Sequence, residues 1–200
     1  RNLDNSIMPI VINGSGTVSG LSAGGLSNAK AVASAAMPSG SVVQVKGAFK
    51  TDTFTTTSTS FVDIDGTDQD GSGSIWCVKI TPASSSNKIV VMLSADGSNT
   101  SSDPTSITIG IFRDSTNLLG SAVSNRHRGW QLGQWDDYNT GESMSCQILD
   151  SPSTTSEITY KVRMRAQTAT GTLNRSGSDV DNADYGYRSG SSLVVMEVVG

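Results

Sequence analysis

The chain has 200 residues, of which 36% are hydrophobic and only 16% are charged, and its formal net charge is −4. Without a basic excess, a partner with a phosphate backbone is not expected. No apolar stretch approaches the roughly 18 residues of a membrane-spanning helix, so membrane insertion is not expected either. Val, Ile, Leu and aromatic residues still cluster into runs, which predicts a folded core rather than a disordered chain.

Residues 1–41 form the first predicted segment. Residues 9–12 indicate a short strand, and a glycine-rich stretch follows. Residues 27–37 then predict a helix that begins at the capping residue Ser27 and ends before Pro38. One face of this helix carries an apolar stripe: Ala29, Val32, Ala33, Ala36 and Met37. Such a short helix is marginal in water, so the stripe should dock either on the chain's own domain or on copies of it.

Residues 42–200 form the second predicted segment, in which strand signals recur between turn signals. The predicted strands cover residues 42–49, 53–56, 61–64, 75–81, 88–95, 107–112, 143–149, 157–166 and 193–199. About eight to ten strands with almost no helix predict an all-β, jelly-roll-like antiparallel sandwich.

The strand at 157–166 shows the clearest alternation of apolar and polar residues. Its inward row is predicted to be Ile158, Tyr160, Val162 and Met164, and its outward row to be Thr159, Lys161, Arg163 and Arg165. A cationic outer row is typical of a solvated face.

The last run of the sequence, residues 193–199, is its most apolar segment and is interrupted only by Glu197. Apolar residues at both parities predict a strand that is tied into a sheet and covered on both faces. That cover can come from a second sheet or from another copy of the chain, and at an interface between copies we expect Glu197 to find a polar partner.

Cys77 and Cys146 both fall within predicted strands. Two half-buried thiols fit a chain folded in a reducing compartment better than a disulfide scaffold.

Several blocks of the sequence resemble small fibre-type proteins of tailed phages, especially cyanophages. They include Met-Pro-Ile-Val-Ile-Asn-Gly-Ser-Gly from Met8, Thr-Ser-Thr-Ser-Phe-Val-Asp-Ile from Thr57, and Arg-Ser-Gly-Ser-Ser-Leu-Val-Val-Met-Glu-Val from Arg188. Two more such blocks lie between them, starting at Val78 and at Asp150. Residues 1–7 precede the methionine at which such proteins are expected to start, and they depart from the pattern.

The resemblance implies a virion structural protein, assembled in the host cytoplasm, with an attachment segment and a β-sandwich knob. It also implies a homotrimer, with residues 8–41 binding another virion protein. Two positions on the particle stay open. One is a tail fibre or spike that contacts host-surface glycan, and the other is a capsid decoration or head-fibre protein that reinforces the shell.

The stretch from Arg126 to Asn139 holds two of the three tryptophans and the only histidine. Aromatic faces beside charged groups suit sugar stacking and hydroxyl recognition. The candidate glycan-binding residues are Arg126, His127, Arg128, Trp130, Trp135, Asp136, Asp137 and Tyr138. The alternative is that the tryptophans anchor this stretch to the core or to a subunit interface.

The densest carboxylate cluster comprises Asp63, Asp65, Asp68 and Asp70. From Asp68 the spacing imitates a calcium loop, but Lys79 stands where the bidentate glutamate should be. The flanking residues predict strands and not helices, so an EF-hand is excluded. A different type of cation site and a solvated turn remain the alternatives.

No catalytic or cofactor-binding motif is present in the sequence. The single histidine lacks a nucleophile elbow, and the adjacent Asp136 and Asp137 point apart on an extended chain. We therefore predict no enzyme and no cofactor, with a glycan depolymerase as a remote alternative.

Overall fold

The computed structural model describes residues 37–101, 105–134, 139–184 and 186–200, which form twelve strands and no helix. The strands are β1 Val42–Lys50, β2 Phe54–Thr56, β3 Val62–Asp63, β4 Cys77–Ile80, β5 Lys88–Asn99, β6 Thr105–Arg113, β7 Thr116–Asn117, β8 Trp130–Gln134, β9 Glu142–Asp150, β10 Ile158–Ala166, β11 Gly171–Leu173 and β12 Ser191–Val198. No helix among these residues could span a membrane.

The predictions for residues 1–36 lie outside the described residues. They include the strand at 9–12 and the apolar stripe of the predicted helix, except for Met37. The Met37 side chain is partly exposed.

The first sheet has β12 and β5 at its centre. β12 pairs with β1 on one side and with β5 on the other, and the far edge of β5 pairs with β9. The last three residues of β5 pair with β11, which in turn pairs with β2. All of these pairs are antiparallel.

The second sheet is built around β10 and β6. One edge of β10 pairs first with β4 and then with β3, and its other edge pairs with β6. β6 then pairs with β8 and β7. These pairs are also antiparallel, so the predicted antiparallel β-sandwich is confirmed.

The hydrophobic core contains the inward rows of the central strands. The predicted inward row of β10 is confirmed, since Tyr160, Val162 and Met164 are fully buried while the residues between them are not. Both sheets contribute further fully buried side chains: Ile89, Val91, Ile109, Ile111, Leu193 and Val195. Burying one such aliphatic side chain stabilises the fold by about 1.5–3 kcal/mol.

Three short strands, β7, β8 and β11, were not predicted. No strand was predicted within residues 126–139, but Trp130–Gln134 forms β8 and pairs with Ile109 through Thr105 of β6. Backbone hydrogen bonds define such a pairing, and they need no regular alternation of apolar side chains. Trp130 therefore lies in a strand and not in a loop.

The last strand, β12, is held in the middle of the first sheet, as predicted. Its inner row, with Leu193 and Val195, is fully buried, whereas Val194 and Met196 on its outer row are partly exposed. Within the described chain, the second face of β12 is thus not covered.

The prediction that Glu197 needs a partner at a subunit interface is wrong. Its side chain points into the sandwich and is fully buried. There the carboxylate accepts hydrogen bonds from Gln44 Nε2 at 2.6 Å, the Ala83 backbone N–H at 2.7 Å and Asn87 Nδ2 at 2.6 Å. A buried carboxylate needs such donors, and its own chain supplies them.

The outer side of the first sheet carries what we call the apolar face. One complete row crosses all four main strands, with Val45 opposite Met196, Met196 opposite Val90, and Val90 opposite Leu149. The next row adds Val194 and Met92, and Val45 and Leu149 at the two ends of the first row are 56% and 65% exposed. The strands thus present an apolar surface to solvent.

Cys77 and Cys146 belong to different sheets, and both thiols are free, as the sequence favours. Burial raises the pKa of both, and that of Cys146 rises to about 11.

Candidate functional site

Three of the predicted glycan-binding residues, Arg126, His127 and Arg128, lie on a small exposed hairpin. The backbone N–H groups of Val123 and Arg126 each donate to the other residue's carbonyl at 3.0 Å, which closes the hairpin. The carbonyl of Arg128 accepts a hydrogen bond from Asn117 Nδ2 at 2.8 Å. The loop is therefore folded, and its side chains are accessible.

Trp130 is placed differently from these three residues. It lies two residues before the buried Leu132 in β8, on the same face of the strand, and its partly buried side chain packs against the core. This position matches the anchoring alternative for that tryptophan. The other candidates, Trp135, Asp136, Asp137 and Tyr138, lie outside the described residues.

Aromatic contacts connect the hairpin to the outer side of the second sheet. The His127 ring meets Phe61 edge to face at 6.0 Å, and Phe61 meets Phe112 in the same way at 5.4 Å. Phe112 needs the space that Gly110 leaves open, because a Cβ atom on Gly110 would lie 2.9 Å from Phe112 Cε2.

Arg163 of β10 completes this cluster. Its guanidinium carbon lies 4.7 Å from the centre of the Phe112 ring, which is a cation–π distance. Its Nε donates to Asp63 Oδ1 at 2.6 Å, and Lys161 Nζ donates to Asp63 Oδ2 at 3.0 Å. One carboxylate thus holds two cations side by side.

These contacts affect the ionisation of Asp63. Burial raises its pKa, but the hydrogen bonds and charges of Arg163 and Lys161 outweigh burial and hold the pKa below its ordinary value of 3.8. Asp63 is therefore ionised near neutral pH and keeps both cations in place.

A groove of about 440 Å³ lies beside this pair, and we call it the β4–β10 groove. Lys79 of β4 and Thr159, Lys161 and Arg163 of β10 line it, together with the turn at Asp114. The loop of residues 68–75 forms a wall.

Asp68 makes that wall rigid. Its Oδ1 accepts hydrogen bonds from the backbone N–H groups of Asp70 and Ser72, both at 3.0 Å, and its Oδ2 binds Lys79 Nζ at 2.8 Å. The Lys79 hydrogen bond and those within the loop hold the pKa of Asp68 well below its ordinary value. The loop is therefore locked onto β4 by an ionised carboxylate.

The four carboxylates of the cation candidate bind different protein groups. Asp63 binds the β10 cations and Asp68 binds Lys79, as above. Asp65 Oδ1 lies 3.3 Å from the buried Lys50 Nζ, and Asp70 accepts from Gln69 Nε2 at 2.8 Å. Within the described ranges, no group of three or more acidic, histidine or cysteine side chains could hold a metal ion.

The outer side of the second sheet is basic although the whole chain is acidic. It carries the outward row of β10, the cation of β4 and the hairpin arginines: Lys161, Arg163, Arg165, Lys79, Arg126 and Arg128. The carboxylates on this side include Asp63, Asp68, Asp114 and Glu157, the last close enough to Lys79 to raise its pKa. The cations outnumber the carboxylates, so the surface favours an anionic ligand.

The sequence predicted that the cations of β10 face outward, but it did not predict which side chains they contact. Asp63 lies 100 residues before Arg163 in the chain, and only the pairing of β3 with β10 brings them together. The one residue that could have indicated this cluster from the sequence was Phe112, the only aromatic residue on the polar side of its strand.

No family model matches the chain, and no curated protein matches it. Among solved structures, it is similar to infectious bursal disease virus of the Gt strain, with 13% identity and a TM-score of 0.38 over 78% of this chain and 38% of that one. It is also similar to T=1 particles derived from that virus, with 12% identity and a TM-score of 0.36 over 80% and 37%.

A further similarity is to an exo-β-1,3-galactanase from Phanerochaete chrysosporium, with 15% identity and a TM-score of 0.19 over 80% of this chain and 29% of that one. The chain thus spans less than two fifths of the length of each of these proteins. With TM-scores this low, the three similarities carry no conclusion about function.

Proposed function

We propose that the chain is a non-catalytic structural protein of a virus particle, a trimeric fibre or spike whose sandwich is exposed and contacts host-surface glycan. The sequence blocks shared with phage fibre-type proteins support the virion role. The structural observation that carries the proposal is the apolar face, because a subunit that assembles needs such a surface.

The dimensions of the apolar face suit an interface between subunits. The whole outer side of the first sheet has four strands spaced about 4.8 Å apart, with eight residues rising about 3.3 Å each, and covers roughly 19 by 26 Å, or about 500 Å² in projection. The two apolar rows cover about half of this area. One partner in a stable interface contributes about 800 Å² of accessible surface. A corrugated sheet face has more accessible surface than projected area, so the two values are of the same order.

A second copy of this chain is the proposed occupant of the apolar face. In the proposed assembly, residues 8–41 bind the other virion protein, which leaves the sandwich free to pack on its own copies. At the far end of the face, Ser192 pairs with Ser94, and Ser94 pairs with Ser145. The polar end of the face would then lie at the rim of the interface, as is usual for such contacts.

Mass measurement under native conditions tests the assembly. We expect a trimer for the unaltered protein and a monomer for the double variant Val45→Glu with Leu149→Glu, whose charges would be buried without partners in the trimer. Val123→Glu is the matched control, because Val123 is 41% exposed but lies on the hairpin. A monomeric unaltered protein at micromolar concentration would contradict the proposal.

Electron microscopy of intact particles that carry a label on the full chain shows where on the particle the protein lies, and this position distinguishes the two virion roles. A tail position supports the fibre or spike, and a position on the capsid surface supports the decoration protein. Absence from particles would rule out both.

A further inference from the structure

We propose that the β4–β10 groove binds an acidic sugar of a glycan, with Arg163 as the principal contact for its carboxylate or sulfate group. This inference rests on the proposed function, since it names the glycan class that the exposed sandwich would contact. It moves the centre of the glycan site from the tryptophans to β10.

Contacts within the protein fix the position of the Arg163 side chain, which favours binding of an anionic group. Its Nε is occupied by Asp63 and its plane is held over Phe112, so the side chain has little freedom left to lose on binding. Among the described residues, neither terminal nitrogen of Arg163 has a hydrogen-bond partner. The two terminal nitrogens form one free edge of the planar guanidinium, with two parallel N–H groups that match the two oxygens of a carboxylate or sulfate group.

The flanking lysines add further donors. An ammonium group has three N–H donors, and one of those on Lys161 binds Asp63 while one on Lys79 binds Asp68. The remaining donors line the same groove as Arg163. Asp63 and Asp68 keep these cations in place, and both oxygens of each carboxylate are engaged by the protein.

Asp114 explains why the ligand should be a sugar and not a small inorganic anion. Its turn lies beside Thr159, whose backbone N–H donates to Asp114 Oδ1 at 3.1 Å. Thr159 and Arg163 are four residues apart on β10, about 13 Å along the strand. A ligand that spans this length needs an anionic group at one end and hydroxyl donors at the other, which an acidic oligosaccharide provides.

The hairpin places the earlier candidates on the same side of the sandwich. His127 contacts Phe61, and Phe61 contacts the Phe112 ring that supports Arg163. Arg126 and Arg128 thus extend the basic surface beyond the groove, where further sugar residues of a chain would pass.

Titration calorimetry with the full chain and three defined probes tests the inference. The probes are an oligogalacturonate, which carries only carboxylates, a heparin-type oligosaccharide, which also carries sulfate esters, and a neutral dextran oligosaccharide. We expect binding to at least one acidic probe and none to dextran. Binding to the oligogalacturonate identifies a carboxylate ligand, and binding to the heparin-type probe alone identifies a sulfate ligand.

Variants locate the binding site. Arg163→Gln should weaken binding of the acidic probe by about tenfold or more, because a charge-assisted pair of hydrogen bonds is lost. Arg165→Gln is the matched control, since it removes the same charge from the same side of β10 outside the groove, and it should change binding by less than about twofold. Thermal unfolding checks that each variant folds, and if Arg163→Gln does not, Lys161→Gln takes its place.

Several outcomes would overturn the inference. They are no binding to either acidic probe, equal binding to dextran, no effect of the groove variant, and equal effects of the groove variant and its control. The assembly is tested separately. A monomer that binds the acidic probe would refute the trimer but not the assignment of the groove. A trimer that binds no acidic probe would refute the assignment of the groove but not the trimer.

Discussion

Asn87 donates a hydrogen bond of 2.6 Å from Nδ2 to Oε1 of Glu197, and both residues are buried. Asn87 ends the turn before β5, and Glu197 lies near the end of β12. The bond therefore ties the turn to the central strand of the first sheet. The only charged residue in the last apolar run has a structural role inside the subunit.

Replacing Glu197 with Leu should lower the free energy of unfolding by about 3 kcal/mol, because three buried donors lose their acceptor. Chemical denaturation at neutral pH measures the change. Glu157→Gln, at an exposed position just before β10, should have an effect of less than about 0.5 kcal/mol. Equal stability of the Glu197 variant and the unaltered protein would contradict the assigned role.

Acid should destabilise the sandwich through Asp68. Its pKa in the folded chain is lowered from the ordinary 3.8, mainly by Lys79, so its contribution to stability is fully present above that value and is lost as the pH falls below it. Asp68→Asn should lower the unfolding temperature near neutral pH and reduce its further fall in acid. Thermal melts from neutral pH down to below the ordinary pKa of 3.8 give the unfolding temperature and its fall in acid. The exposed Asp181→Asn is the control and should leave the unfolding temperature near neutral pH unchanged.

Trp130→Ala should destabilise the protein by about 3 kcal/mol, because the ring packs on the core beneath β8. Trp130→Phe should cost less, since it keeps an aromatic ring in the same place. Denaturant unfolding of both variants tests the anchoring alternative. A Trp130→Ala variant with unchanged stability and weakened glycan binding would instead favour the contact role.

Both cysteines should react slowly with iodoacetamide in the native protein near pH 8. The pKa of Cys146 is about 11, so only about one thiol in a thousand is ionised there, and Cys77 is almost fully buried. We expect Cys146 to react first, because it is the more exposed of the two. Mass spectrometry follows the labelling, and the chain unfolded in denaturant is the reference for full reactivity.

The long strands could be predicted from the sequence, and the short ones could not. β10 alternates through its whole length, so its inward and outward rows are evident from the residues alone. β8 and β11 are short pieces that exist because β6 and β5 offer them an edge, and an edge partner is a tertiary property. For the same reason the sequence could not show that Glu197 faces inward.

The candidate site was predicted in its parts but not in its geometry. The basic outward row of β10 and the hairpin arginines were both visible in the sequence. What joins them is a carboxylate at Asp63, Phe61 directly before β3 and Phe112 of β6, and these meet Arg163 only through strand pairing. Long-range register is the information that a single sequence lacks.

The central position of β12 has a consequence for biosynthesis. It is the last of the twelve strands to leave the ribosome, yet β1, the first, has its only described pairing with it. Until β12 has been synthesised, β1 lacks its strand partner, and the edge of β5 that pairs with β12 is unpaired. Contacts between residues so far apart in sequence form slowly, so the sandwich closes only after nearly all of it has been synthesised. Until then, the open edges of β1 and β5 are available for pairing between nascent chains.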